Sequence, residues 1–91
     1  MSDTVRIKLL FSGHVQGVGF RATTANIARG FNVAGHVKNL PDGQVECVAE
    51  GERDEVKRFR KEVESRMSGF IRDVAASDEP PRHDADFKIT H

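Results

Sequence analysis

The first segment of the chain alternates between apolar and polar residues. The apolar positions, which all share one parity, are Val5, Ile7, Leu9 and Phe11. A period of two is typical of a strand with one buried face, so the pattern predicts a β-strand over residues 4–11. Arg6 and Lys8 would then lie on the opposite, polar face of that strand.

Two later segments repeat the residues of one face with the period of a helix. Around residues 21–31 the spacing is four, three and four, at Phe20, Thr24, Ile27 and Phe31. Over residues 52–67 a second stripe consists of Val56, Phe59, Val63 and Met67. Each spacing predicts an amphipathic α-helix that packs one face against a core. Asn32 is placed to end the first helix in a left-handed conformation.

The remaining segments have the patterns of strands and turns. Further strands are predicted over residues 33–39, 44–50, 70–76 and 87–89. Leu40–Gly43 has Pro41 at the second position of a type I turn, so the first two of these strands should form a hairpin. Residues 77–84 contain two consecutive prolines and are predicted to be a loop.

The predicted elements follow the order βαββαβ, with a terminal β segment. In this order two helices cover one face of a mostly antiparallel sheet, which predicts an α+β fold of the ferredoxin-like sandwich type. The chain has 91 residues, a length that fits one small domain. We therefore assign residues 1–91 to a single domain.

The charge balance argues against a nucleic-acid partner. The chain has 14 basic and 14 acidic residues and a formal net charge of +0, whereas a general nucleic-acid binder carries a basic excess. RNA-recognition domains share the βαββαβ order but stack bases on aromatic residues of their central strands. Residues 44–50 contain no aromatic residue, and we expect no nucleic-acid partner.

The sequence also gives no signal for export, a membrane or a metal. The single cysteine, Cys47, cannot form an internal disulfide, the first residues lack a signal-peptide pattern, and no apolar run could span a bilayer. No two histidines have metal-ligand spacing with a carboxylate or with Cys47. We expect a cytoplasmic monomer with no membrane partner, no metal and no cofactor.

The stretch Gly13–Arg21 carries the candidate chemistry, because it joins a buried strand to the start of a helix. The first N–H groups of a helix are unpaired and partly positive, and Gly13, Gly17 and Gly19 allow such groups to converge on an anion. A tight turn whose glycines serve only geometry would have the same composition. Arg21 favours the anion site, because a cation in the first helical turn is unfavourable unless an anion binds there. Its planar guanidinium also fits two phosphate oxygens.

Asn39 is the second candidate residue, at the end of the second predicted strand. Its position just before a turn is explained by local chemistry, since Asn side chains often bond to nearby backbone groups. Spacing alone favours that interpretation. Proximity between Asn39 and the Gly13–Arg21 loop would depend on the sandwich topology, which the sequence does not show.

Two motifs are similar to those of the acylphosphatase family. Gly13-His14-Val15-Gln16-Gly17-Val18-Gly19-Phe20-Arg21 resembles the first family signature. Gly35-His36-Val37-Lys38-Asn39, followed by Asp42-Gly43-x-Val45-Glu46, resembles the second. The resemblance extends from about Val5 to Ile89. It departs from the family at His36, where an aromatic residue is usual, and at His91, where tyrosine is common.

The resemblance implies that the chain hydrolyses acyl phosphates to a carboxylate and inorganic phosphate, without a metal or a covalent intermediate. It implies that Arg21 binds the phosphoryl group and that Asn39 orients the attacking water. The backbone N–H groups implied to assist Arg21 are those of Val15, Gln16, Gly17, Val18, Gly19 and Phe20. A non-catalytic, regulatory domain that binds an anion is the alternative left open, because similar modules occur inside larger proteins.

The available residues also favour an activated phosphate as the substrate. A carboxylate leaving group has a conjugate acid with a pKa of about 4, so it departs at neutral pH without being protonated. An alkyl phosphate would expel a far more basic alkoxide, in one of the slowest uncatalysed reactions known, and would need a metal or a placed acid. The sequence offers neither, which favours an activated phosphate. The family resemblance implies that this substrate is a small-molecule acyl phosphate.

Overall fold

The computed structural model describes residues 3–90 and arranges them as five strands and two helices. The strands are β1 (Thr4–Gly13), β2 (Ala34–Asn39), β3 (Val45–Glu52), β4 (Ile71–Glu79) and β5 (Phe87–Ile89). The helices are α1 (Phe20–Ala28) and α2 (Arg53–Arg66). The predicted element order and the ferredoxin-like α+β class are confirmed.

The strands form one sheet in the order β4-β1-β3-β2-β5. β1 lies between β3 and β4 and pairs antiparallel with both, and β3 pairs antiparallel with β2. β5 runs parallel to its neighbour β2. The sheet is therefore mostly antiparallel, as predicted, with one parallel pair at the edge where the chain ends.

The face of the sheet that packs on the helices, called here the inner face, holds the hydrophobic core. Side chains alternate between the two faces of a strand, so every second residue of β1 and β3 is buried there. The fully buried inner-face residues of these strands are Leu9, Phe11, Val45, Cys47 and Ala49. The helices contribute the predicted stripes, including Phe20, Ile27, Val56, Phe59 and Val63. The turn after β2 also forms, with Gly43 N–H donating to Leu40 O at 3.1 Å.

The opposite, outer face contains a buried charge that the alternation did not predict. Arg6 lies on this face, as expected, but it is only 2 % exposed. Its guanidinium contacts Glu50, Glu79 and Asp84 at 3.0, 3.1 and 2.8 Å. Three carboxylates therefore surround a cation that the pattern alone would place in water.

The connection from β4 to β5, residues 80–86, closes this charged cluster. The backbone N–H groups of Arg82 and His83 donate to the Glu50 carboxylate at 2.9 and 2.7 Å. Further along, Asp86 O accepts a hydrogen bond from Gly35 N–H of β2 at 2.9 Å. These bonds fasten the connection to the central strands and exclude water from Arg6.

Two predicted boundaries are wrong. The predicted loop over residues 77–84 begins later, because β4 continues to Glu79 and pairs there with Arg6 of β1. Pairing along a neighbouring strand overrides a weak apolar pattern. α1 ends at Ala28, and Asn32 is not left-handed; instead its N–H donates to Glu55 of α2 at 2.8 Å.

The two departures from the family pattern are His36 and His91, of which only His36 lies within the described residues. His36 lies on the outer face, with Nε2 2.7 Å from a carboxylate oxygen of Glu46 on β3. The two residues are diagonal neighbours on adjacent strands, close enough for long side chains to interact. A polar pair thus stands where the family usually has an aromatic side chain. His91 lies outside the described residues.

Candidate active site

The sheet register places Asn39 beside the glycine-rich loop. Phe11 of β1 lies opposite Val45 of β3, and Val45 lies opposite Asn39 of β2. Adjacent strands are about 4.8 Å apart, so Asn39 lies about 10 Å across the sheet from Phe11. The chain leaves β1 two residues after Phe11 to enter the loop. The loop and Asn39 therefore share one end of the sheet.

The loop is anchored by buried side chains and exposed between them. Val15 is buried in the core, and the Phe20 ring packs on Phe11 with centroids 5.0 Å apart. Gly17 and Gly19 are exposed and have φ of +78°, a left-handed conformation that glycine adopts without steric cost. A Cβ at either position would meet no atom within 4 Å. The backbone conformation, and not lack of space, requires glycine there.

The backbone N–H groups of the loop point to an anion site. Gly19 is the N-cap of α1 and has no side chain to cap it, and the first turn of the helix contains no acidic residue. Within residues 3–90, no acceptor bonds to the backbone N–H groups of residues 15–20. Unpaired N–H groups at the positive end of a helix dipole attract an anion.

Arg21 and Asn39 line the same cleft, which has a volume of about 370 Å³. Arg21 lies in the first turn of α1 and is half-buried. The cleft is also lined by Val15, Gly17, Gly19, Phe20, Ala22 and Ile89. Asn39 was interpreted either as a residue of local turn chemistry or as a part of the site at the loop. Its place in this cleft favours the second interpretation.

Among the described residues that line the cleft there are a cation and an amide but no acid or base. None of its described lining residues is Asp, Glu, His or Cys. Nor do residues 3–90 contain a cluster of three such side chains able to hold a metal ion. The arrangement can bind a phosphoryl group and stabilise its charge, but its described side chains cannot protonate a leaving group.

Sequence reasoning missed the side chain of Gln16. Its amide nitrogen donates to Leu40 O at 2.8 Å and to Gln44 O at 2.9 Å, both in the turn that follows Asn39. The sequence had identified only the backbone N–H of this residue. Amide bonds to main-chain carbonyls 24 and 28 residues away leave no signature in a single sequence.

Sequence reasoning also missed Ile89 as a wall of the cleft. β5 pairs parallel with β2, which sets Ile89 opposite Val37 and near the loop. Ile89 is 39 % exposed and lines the cleft, as Ala22 does. The residue was predicted to lie in a terminal strand, but a strand pattern does not say which neighbour that strand will join.

Comparison with known proteins identifies the family. The family model described as Acylphosphatase matches residues 7–89. A curated relative, the acylphosphatase of Marinobacter nauticus, is 43% identical over 88 residues, which are 94% of this chain and 96% of the relative.

Solved structures agree with this match. The acylphosphatase from Bacillus subtilis superposes with a TM-score of 0.86 at 28% sequence identity, over 96% of this chain and 99% of that chain. Full-length HypF, in a phosphate- and nucleotide-bound form, superposes with a TM-score of 0.84 at 25% identity over 100% of this chain but only 12% of its own.

Proposed function

The chain belongs to the acylphosphatase family and hydrolyses acyl phosphates, and from this premise we propose which residues perform the reaction. Arg21 and the backbone N–H groups of residues 15–20 bind the phosphoryl group. Asn39 holds the attacking water. The observation that carries the proposal is that Arg21, Asn39 and the loop line one cleft.

Binding uses two kinds of donor. The guanidinium of Arg21 offers two parallel N–H groups to two phosphoryl oxygens, which is the geometry that Arg provides best. The loop N–H groups, which have no acceptor within residues 3–90, donate to the remaining oxygens. Phosphoryl transfer needs mainly positioning and charge stabilisation, so these donors suffice to offset charge on the equatorial oxygens.

Water attack requires a group on the side opposite the leaving carboxylate. Asn39 can accept a hydrogen bond from water through its carbonyl oxygen and donate one through its amide. It has no charge with which to remove a proton. We assign that role to an oxygen of the substrate phosphate, because none of the described residues that line the cleft is a base.

The apolar wall of the cleft suits the acyl part of the substrate. Ala22 and Ile89 present carbon atoms beside the phosphate donors, so an apolar acyl group would bury surface against them. A carboxylate leaves without protonation, which is consistent with the lack of an acid among the described lining residues.

The test separates binding from turnover at Asn39. We expect Asn39→Ala to lower kcat for benzoyl phosphate by about 100-fold, while inhibition by inorganic phosphate stays within about two-fold. Asn26→Ala is the matched control, because Asn26 is an exposed residue of α1 outside the cleft lining. Equal losses of phosphate affinity and rate in Asn39→Ala would contradict the water-positioning role. Loss of neither would remove Asn39 from the site.

Several finer expectations remain predictions. These are a monomer, a cytoplasmic location, a single domain over residues 1–91 and the absence of a nucleic-acid partner; the balanced charge of the chain supports the last of them. Sedimentation of the purified chain tests the monomer, and a salt-dependent RNA shift assay tests the last of these. A purified chain that binds inorganic phosphate but does not hydrolyse benzoyl phosphate would instead be a non-catalytic anion-binding domain.

A further inference from the structure

The side chain of Gln16 connects two parts of the candidate site. Its Nε2 atom lies 2.8 Å from Leu40 O and 2.9 Å from Gln44 O. Both partners are carbonyl oxygens, which only accept, so the NH2 end of the amide must face them and both of its hydrogens are used. The bonds span from the glycine-rich loop to the turn between β2 and β3.

This connection acts on the turn directly after Asn39. Leu40 is the next residue, and its own N–H donates to Gln44 O at 2.8 Å. Gln44 O therefore accepts from both Leu40 and Gln16 and closes the turn. Asn39 is the last residue of β2, where it pairs with Val45. At the end of a ladder, strand pairing alone restrains a residue less than in its middle.

We propose that the Gln16 side chain is a positioning residue that sets the distance between the phosphate-binding loop and Asn39. The backbone N–H of Gln16 belongs to the loop that binds phosphate, and its side chain fixes the turn that carries the water-holding amide. One residue thus relates the position of the phosphorus to that of the water. This inference rests on the roles proposed above for Asn39 and the loop.

The reason such a link matters is the geometry of in-line attack. Water must approach opposite the leaving oxygen, and a misplacement of about 1 Å can lower the rate by about 100-fold. Arg21 and the loop N–H groups hold the phosphate regardless of the turn. Loss of the Gln16 bonds should therefore slow turnover more than it weakens phosphate binding.

Gln16→Met tests the proposal, because methionine has a similar length but no N–H donor. Gln44→Met is the matched control: it removes a glutamine amide of the same turn, whose Nε2 donates to Ser12 Oγ at 2.9 Å, and it keeps the Gln44 backbone carbonyl. We expect Gln16→Met to lower kcat by about 10- to 100-fold with inhibition by phosphate within about three-fold of the parent. Gln44→Met should change kcat by less than about two-fold.

A double-mutant cycle shows whether Gln16 acts by positioning Asn39 or by stabilising the site in general. In the Asn39→Ala background, Gln16→Met should have little further effect on kcat, because the group that it positions is gone. If Asn39→Ala slows turnover and Gln16→Met lowers kcat by the same factor in that background as in the parent, the positioning role is wrong. If Asn39→Ala leaves turnover unchanged, the proposed function of Asn39 fails instead.

Folding is controlled by measuring urea unfolding of every variant. If Gln16→Met does not fold, Gln16→Asn keeps the amide but shortens its reach by one methylene, so it cannot hold both carbonyls at their present distances. The same pattern of slow turnover with retained phosphate binding is expected for it. Normal turnover in a folded Gln16→Met or Gln16→Asn enzyme, or equal losses of phosphate binding and rate, would overturn the proposal.

Discussion

Two arginines of this chain occupy opposite kinds of environment. Arg6 lies on the outer face of the sheet, 2 % exposed and surrounded by three carboxylates at 2.8–3.1 Å. Arg21 lies half-buried at the start of α1, in a cleft whose described lining contains no carboxylate. The first charge is enclosed by the protein, whereas the second lines a cleft at the start of a helix.

The difference shows how the same side chain can serve stability or function. A buried charge is tolerated only when it is paired and hydrogen bonded, and Arg6 meets that condition through Glu50, Glu79 and Asp84. Arg21 lines the same cleft as the glycine-rich loop, and the backbone N–H groups of residues 15–20 have no acceptor within residues 3–90, so the described lining of the cleft has more donors than acceptors. Such a local excess of donors is the feature of a binding site.

The largest expected effect is the loss of turnover when Arg21 is replaced. Arg21→Ala should lower kcat/KM for benzoyl phosphate by about 1,000-fold or more, because the variant loses the charged group that stabilises the transferring phosphoryl. Inhibition by inorganic phosphate should disappear with it. The free energy of unfolding in urea should change by less than about 1 kcal/mol. Near-normal phosphate inhibition in this variant would refute the assignment of the site.

The converse variant is Arg6→Met, which should affect stability and not chemistry. It leaves Glu50 buried without its guanidinium partner, so we expect the free energy of unfolding to fall by about 3 kcal/mol. At a temperature where the variant is folded, kcat/KM should stay within about two-fold of the parent. Lys8→Met, on the same face but more exposed, is the control and should cost less than about 1 kcal/mol. A stable Arg6→Met protein with impaired turnover would reverse the comparison.

Acid should weaken the Arg6 cluster, because protonation removes the charge of its carboxylates. Burial raises the pKa of Glu50, but the N–H groups of Arg82 and His83 and the Arg6 guanidinium outweigh it, leaving the pKa below its ordinary value of 4.5. A hydrogen bond from Arg6 lowers the pKa of Asp84 below 3.8.

A lowered folded-state pKa stabilises the protein above the ordinary pKa, and this contribution is lost as the pH falls through the folded value. Urea unfolding from pH 6 to pH 3 should therefore show a loss of stability beginning below about pH 4.5. The loss should be smaller in Arg6→Met. An equal loss in both proteins would assign the acid sensitivity to other carboxylates.

The smallest effect concerns Thr24, a buried polar residue that, unlike Arg6, has no partner for its polar group within residues 3–90. Its hydroxyl is fully buried in the core and has no hydrogen-bond partner within residues 3–90. Thr24→Val keeps the shape and removes the unpaired oxygen, so it should raise the free energy of unfolding by about 1 kcal/mol. Thr23→Val, at a partly exposed neighbour on the same helix, should change it by less than about 0.5 kcal/mol. A destabilised Thr24→Val would indicate that the hydroxyl does find a partner in solution.

The local patterns of the sequence determined the elements and their chemistry. Period-two alternation in β1 and the apolar stripes of both helices depend only on residues near in the chain, because burial on one face of an element imposes the repeat. The loop motif with Arg21 could be identified for the same reason. Its glycines and its helix start are adjacent in sequence, and the first turn of a helix attracts anions wherever it lies.

Tertiary structure alone decided how these parts meet. Asn39 lies beside the loop because β3 is inserted between β1 and β2, and pairing between distant strands leaves no local pattern. The burial of Arg6 could not be predicted for the same reason. The connection that covers it, and two of the three carboxylates that contact it, follow more than 70 residues later in the chain. The Gln16 bonds and the wall formed by Ile89 also join distant segments. The sequence determined which residues could act, and the folded sheet determined which of them act together.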